Sequence, residues 1–184
     1  LHVSDEMLHL IKETPQWALM LKQGVFSDKV FQNGERILLN GQFSITPIKV
    51  PHRDELSDMH AFLICGANKR LLFLPDHDSW QQTLEFHCQP DILSWLNHLQ
   101  VDFALLDGTF WSEDELGGRS QESVPHPTVK QTLQMLGQRK IGDPEVIFIH
   151  LNHTNPLYDE TSAAYEEVIG NGWQVGVQGQ TFIL

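Results

Sequence analysis

The sequence predicts an α+β chain in which a mixed β-sheet is covered by helices. Three observations carry that prediction. Short β-rich runs separated by turn residues fill the first half, strand and helix patterns alternate in the second, and no repeat, low-complexity stretch or linker divides them. The chain has 184 residues, 41% hydrophobic and 20% charged, which suits one domain with a real core.

The elements follow in order. Ser4 is placed to cap a helix running through Thr14, with Met7, Leu8, Leu10 and Ile11 on one side. Pro15 fits the first turn of a second helix ending near Gly24. Asn33-Gly34 signals a hairpin between Val30-Phe31 and Ile37-Leu38. Phe43 to Val50, Ala61 to Cys65 and Leu71 to Leu74 read as strands, with the polar run PHRDELSD after the first. Pro90 opens a helix whose Ile92, Leu93, Leu96 and Leu99 share a face, and Phe103 to Leu106 is a short strand. Residues 111 to 126 form a polar loop long enough to carry function. Pro127 opens a helix to about Gln138, followed by a strand at 146–149, a helix near Ser162 to Ile169 and a closing hairpin from Gln174 to Leu184.

Charge and cysteine content exclude some functions. Twelve basic residues against twenty-four acidic ones give a formal charge of −12, and no run of Lys or Arg interrupts it. Nucleic acid and anionic membrane both demand a positive surface, so no extended nucleic-acid surface and no membrane partner is expected. Cys65 and Cys88 have no metal-type spacing, and Cys65 reads as a buried thiol. No apolar run approaches the roughly 20 residues of a membrane span. A cytoplasmic location is expected.

Strand ends carry the chemistry. The run IKVP leads into His52, LLFLP into Asp76, and VIFI into His150. Imidazole nitrogen and carboxylate oxygen suit a borderline divalent metal such as zinc, and one aspartate can bridge two ions. A fourth strand leads into Asp107-Gly108-Thr109-Phe110, so Asp107 falls on the same sheet edge if the strands run the same way. A carboxylate there can orient a ligand histidine or relay a proton, and an Asx-turn with Gly108 is an equal alternative.

In order and spacing, VPHRDELSD, LFLPDHDSW, ALLDGTFW and IHLNHTNP resemble the metallo-β-lactamase superfamily, IHLNHTNP being the most specific element. The resemblance is strongest to the branch that includes pyrroloquinoline quinone biosynthesis protein B and related hydrolases. It covers nearly all of the chain and corresponds to the C-terminal half of the family's domain, which implies half of an αβ/βα sandwich. It also implies His52, Asp76 and His150 as metal ligands, with Asp76 bridging two divalent ions, zinc or else manganese or iron. Asp107 and His126, the latter in VPHP on the long loop, are implied in proton transfer and substrate contact. His153 is implied as a neighbouring contact and not as a ligand.

The family's HxHxDH is absent from residues 1–184, so the chain is expected to be the C-terminal portion of one such domain, with half of a binuclear site. Alone it is expected to bind metal weakly or not at all and to be inactive. The complete protein is expected to hydrolyse a phosphodiester or ester bond of a small-molecule or phosphodiester substrate through metal-bound hydroxide. The alternatives are a non-hydrolytic protein resembling the quinone-biosynthesis branch, or a metal-free binding or oligomerisation fragment, and a homo-oligomer is a further expectation.

Overall fold

A computed structural model describes residues 1–39, 41–116 and 124–184. The expected loop at 111–126 therefore lies partly outside the described residues; within them, Glu113–Leu116 form one 3-10 turn.

The chain opens with strand β1 (His2–Val3), helices α1 (Asp5–Glu13) and α2 (Pro15–Lys22), and strand β2 (Lys29–Val30), which pairs parallel to β1. Ser4 caps α1 by accepting from Met7 N, as its sequence position predicts. Gly24, at φ 69°, follows the end of α2 in the left-handed region that glycine occupies without strain. This unit buries Val3, Leu8 and Ile11 in a small core of its own. The Ser4 hydroxyl donates to Asp58, and Lys49 Nζ pairs with Glu6 at 3.6 Å, which ties the unit to the main sheet.

The main sheet has seven strands in the order β3 (Ile37–Leu38), β4 (Ser44–Val50), β5 (Met59–Cys65), β6 (Arg70–Leu74), β7 (Phe103–Asp107), β8 (Glu145–Ile149) and β9 (Gln174–Val175). Strands β3 to β6 pair antiparallel, and β6 to β9 pair parallel. Because β5 runs against both its neighbours, β4 points the same way as β6, β7 and β8. With β9, which is parallel to β8, five of the described strands end on one edge, and β4, β6, β7 and β8 are the four that lead into the polar residues. The helices α3 (Trp80–Phe86), α4 (Ile92–His98), α5 (Val129–Leu136) and α6 (Ala163–Gly170) are the crossovers that parallel pairing requires.

Register explains why one face is core. Leu74, Leu106, Phe148 and Val175 lie in one row across β6 to β9. That row packs with Trp80, Ile92, Trp95, Leu96, Val129, Leu133 and Val168 from all four crossover helices. The opposite row, Phe62, Phe73, Leu105 and Ile147, is apolar as well. Phe73 in that row is 37% exposed. Ile147 in the same row has no exposure, so the second face is only partly open; one helical layer on one apolar sheet corresponds to half of a four-layer αβ/βα arrangement.

Three expectations are corrected. The Asn33-Gly34 hairpin does not form, because Asn33 Oδ1 accepts from Lys49 N at 2.7 Å and Gly34 N donates to Pro47 O at 2.8 Å. The turn is thus spent on β4; β2 pairs with β1 and β3 with β4. No closing hairpin spans 174–184: only β9 is a strand, and it pairs with β8. Cys65 is partly exposed because it ends its strand, and both cysteines are free thiols. Helix α3 has no counterpart in the sequence reading, since its apolar content is one short stripe. Among the described residues no helix is long and apolar enough to cross a membrane.

Adjacent residues on β7 test the two faces. Leu106 has no exposure, whereas Leu105 is only partly buried. Leu106→Ala is expected to cost about 2–5 kcal/mol of unfolding free energy, and Leu105→Ala in this chain less than half as much. Urea denaturation of both variants measures the difference; equal losses would mean that the second face is also packed.

Candidate metal centre

The four strand ends place their polar residues within a few ångströms of one another. Asp76 is the common point. Its Oδ1 lies 3.5 Å from His126 Nδ1, 3.7 Å from His150 Nδ1 and 3.8 Å from His52 Nε2. His52 follows β4, Asp76 follows β6, His150 follows β8, and His126 sits between Pro125 and Pro127 just before α5. All five sequence-predicted residues are therefore brought together. His153 is not: it is exposed and its Nδ1 lies 3.2 Å from Asn152 Oδ1.

Each histidine is aimed by a neighbour. His52 Nδ1 lies 3.1 Å from Asp78 Oδ1, and its other nitrogen faces Asp76. A carboxylate acceptor there fixes the proton on Nδ1 and leaves the Nε2 lone pair toward the centre. His126 Nδ1 donates to Asp107 Oδ2 at 2.8 Å. Asp107, buried at the end of β7, accepts at Oδ1 from both Thr109 N at 2.9 Å and Thr109 Oγ1 at 2.7 Å. The same Thr109 Oγ1 lies 3.0 Å from His150 Nδ1. The expected Asx-type turn and the expected orienting role thus coincide in one carboxylate.

His150 has φ 60°, left-handed backbone that is uncommon outside glycine. The loop that imposes it is pinned from inside. Asn155 is buried and donates from Nδ2 to Gly108 O at 2.7 Å, while its Oδ1 accepts from Leu157 N at 3.0 Å. Asn152 N donates to Thr109 O at 2.9 Å, and Gly108 N donates to Ile149 O at 2.8 Å. The loops after β7 and β8 are therefore stitched into one unit, which is what IHLNHTNP encodes.

The electrostatics separate a half-buried histidine from a fully buried one. Burial lowers the pKa of His126, but its hydrogen bond to Asp107 and the charges of Asp107 and Asp76 outweigh that, so the ring titrates above an ordinary histidine. His77, beside Asp76, has no exposure, and burial lowers it to about 4 despite the charge of Asp107. Its Nδ1 lies 2.8 Å from Thr83 Oγ1, its ring meets Trp80 edge-on, and its Nε2 has no hydrogen-bond partner among the described residues. His77 is a neutral ring under the site that anchors the turn carrying Asp76 and Asp78 to α3.

The donor set fits a divalent cation. Two ligands each about 2.1 Å from a tetrahedral zinc stand about 3.4 Å apart, close to the 3.7 and 3.8 Å from Asp76 Oδ1 to nitrogens of His150 and His52 and longer than a hydrogen bond of about 2.9 Å. Asp76, Asp107 and His126 also offer ligand atoms all within 4.8 Å of one another. The Asp107–His126 contact, however, has hydrogen-bond length, which marks Asp107 as the carboxylate that orients a histidine. Sequence reasoning missed Asp78, Thr109, Asn155 and His77. Asp78 and Thr109 each stand two residues beyond a residue it did name.

The comparisons with known proteins agree with this fold. Residues 2–151 match the family model for the beta-lactamase superfamily domain, and the chain belongs to that family. Among curated proteins it is 26% identical to Coenzyme PQQ synthesis protein B of Xanthomonas euvesicatoria pv. vesicatoria, over 97% of this chain and 62% of that protein. It is 34% identical to the protein of the same name from Nitrosococcus oceani, over 46% of this chain and 29% of that one. Among solved structures, Zn(2+)-bound PqqB from Methylobacterium extorquens superposes with a TM-score of 0.70 at 21% identity, covering 100% of this chain and 62% of that one. A diphosphatase from the PhnP family gives 0.58 at 17%, covering 100% and 58%. The chain thus spans about three-fifths of the length of the relatives it matches over its whole extent.

Two outcomes follow from the site's construction. Asp107→Asn removes the charge that raises His126 and leaves only a neutral amide oxygen to accept, so the His126 ring is expected to titrate at lower pH in the variant. NMR titration of the ring protons reads this directly, and an unchanged midpoint would contradict the assignment. A Cβ on Gly108 would stand 2.8 Å from Ile149 O and 2.9 Å from Leu151 Cδ2. Gly108→Ala is therefore expected to force β7 and β8 apart at the site and to cost about 1–3 kcal/mol. Thermal unfolding of the variant checks it.

Proposed function

We propose that this chain supplies one side of the active centre of a metal-dependent hydrolase that cleaves an ester or phosphodiester bond. The observation that carries this reading is the position of Asp76 Oδ1, 3.5–3.8 Å from nitrogens of three histidines delivered by three separate segments. His52, Asp76 and His150 would hold one or two divalent ions, Asp76 being placed to serve both. Such an ion supplies Lewis-acid chemistry, lowering the pKa of water and stabilising developing negative charge.

The chain's own residues do the rest. Asp78 fixes the tautomer and orientation of His52. Asp107 holds His126 by Nδ1, which keeps the ring protonated to higher pH and suits it to give a proton to a leaving group. Thr109 bridges the Asp107 carboxylate and the His150 ring, so the proton-transfer pair and the ligand share one support.

Among the relatives, the zinc-bound PqqB structure supports metal chemistry and the PhnP-family diphosphatase supports hydrolysis. A second reading is favoured by the curated relatives, which are named for synthesis of a coenzyme: the site would then serve a non-hydrolytic step in cofactor assembly.

The test uses the full-length gene product and a panel of aryl esters and bis(4-nitrophenyl) phosphate. Hydrolysis is expected to be abolished by chelator and restored by zinc, manganese or iron. His150→Ala is expected to reduce bound metal and rate by at least tenfold, and His153→Ala to change both far less. Chelator-insensitive hydrolysis would remove the metal reading. A metal-loaded protein inactive on every ester and phosphate would favour the second one.

A further inference from the structure

A polar path crosses the apolar core beneath the metal centre. His77, Thr83 and Thr132 have no exposure, and Trp80 and Thr128 are 3% and 2% exposed. Trp80 packs in the same cluster as Leu84, Val129 and Leu133. Apolar side chains would fill such positions without the cost of burying polar groups, which hydrogen bonds only offset. The path is continuous. His77 Nδ1 lies 2.8 Å from Thr83 Oγ1 on α3, and the His77 and Trp80 rings stand 4.5 Å apart between centroids. Trp80 Nε1 donates across to Thr132 Oγ1 on α5 at 2.8 Å, and that hydroxyl donates to Thr128 O at 3.1 Å.

Its two ends are Asp76 and His126. His77 follows Asp76 directly, and Thr128 caps α5 two residues after His126, with only Pro127 between. A reciprocal capping box with Gln131 fixes Thr128 in turn. From the other side, Val129 N donates to Phe110 O at 2.9 Å and Lys130 N to Trp111 O at 3.1 Å. The first turn of α5 therefore hangs between the segment that follows Asp107 and the helix that carries Trp80.

This suspension decides between two carboxylates. His126 Nδ1 stands 2.8 Å from Asp107 Oδ2 and 3.5 Å from Asp76 Oδ1. A small displacement toward Asp76 would pass the hydrogen bond to it and occupy a lone pair that Asp76 needs for an ion. We propose that Trp80 and Thr132 are positioning residues, and that their hydrogen bond holds His126 on Asp107 and off Asp76. The placement stands on geometry; its effect on proton transfer rests on the hydrolase reading.

The test uses the full-length gene product with Trp80→Phe, Thr132→Val and the double substitution. Trp95→Phe is the control, because Trp95 is buried in the same cluster and its Nε1 has no partner among the described residues. With isotope-labelled histidine, the downfield Nδ1–H resonance of His126 is assigned by its loss in His126→Gln. It is expected to move in all three variants and to stay in place in the control. On phenyl esters, whose leaving group needs a proton, kcat is expected to fall about tenfold with KM unchanged. On 4-nitrophenyl esters, which need none, the fall is expected to be less than about twofold. The double variant is expected to match the single ones, because each loses the same bond. A resonance that stays in place in every variant, or moves as far in Trp95→Phe, overturns the proposal, as does equal loss of kcat on both esters. The resonance is read without substrate, so its movement in a protein that hydrolyses neither ester would keep the placement and remove the hydrolase reading.

Discussion

The structure turns on one oxygen. Asp76 Oδ1 faces nitrogens of His52, His126 and His150 at 3.5–3.8 Å, a spacing set by backbone elements far apart in sequence. Holding it requires that β4, β6 and β8 end at the same height on the same edge. The antiparallel passage through β5 and the parallel pairing of β6, β7 and β8 together guarantee that. The core helices on one face lock the row Leu74, Leu106 and Phe148, each without exposure. Packing of that row fixes the strand ends, and the strand ends fix the polar atoms. Chemistry here is a consequence of sheet register.

Around that oxygen the supporting groups leave little freedom. Asp78, Asp107 and Thr109 each engage a histidine of the centre, and Asn155 ties the β8 loop to carbonyls after β7. Gly108 lets the two loops close to contact distance, because any side chain would meet a backbone oxygen. His77 lies beneath as a neutral ring on Thr83 and Trp80. Such preorganisation is what a centre needs if its groups are to hold productive geometry before substrate arrives.

Much of this was legible from residue patterns, and the reasons are physical. A short apolar run that ends in Pro-His, Pro-Asp or directly in His announces both a strand and what it delivers, so β4, β6 and β8 and the convergence of His52, Asp76 and His150 could be read together. Asp107 was legible in the same way. Asp78 was not, because only the fold shows that it meets His52, 26 residues earlier. The Asn33-Gly34 hairpin failed for a related reason: a local turn signal cannot show that the turn's polar groups bond to β4. Helix α3 was missed because the residues that bury it, Trp80, Thr83 and Leu84, make too short a stripe to stand out before their partners are known.

The most direct measurement is the metal content of the full-length gene product, purified without chelator and read by elemental mass spectrometry, for the parent and for Asp76→Asn. The account predicts one to two divalent ions per chain in the parent and loss of most of them in the variant, with the fold retained. A well-folded parent free of metal, or a variant that keeps its full complement, would contradict the claim that Asp76 holds an ion together with His52 and His150.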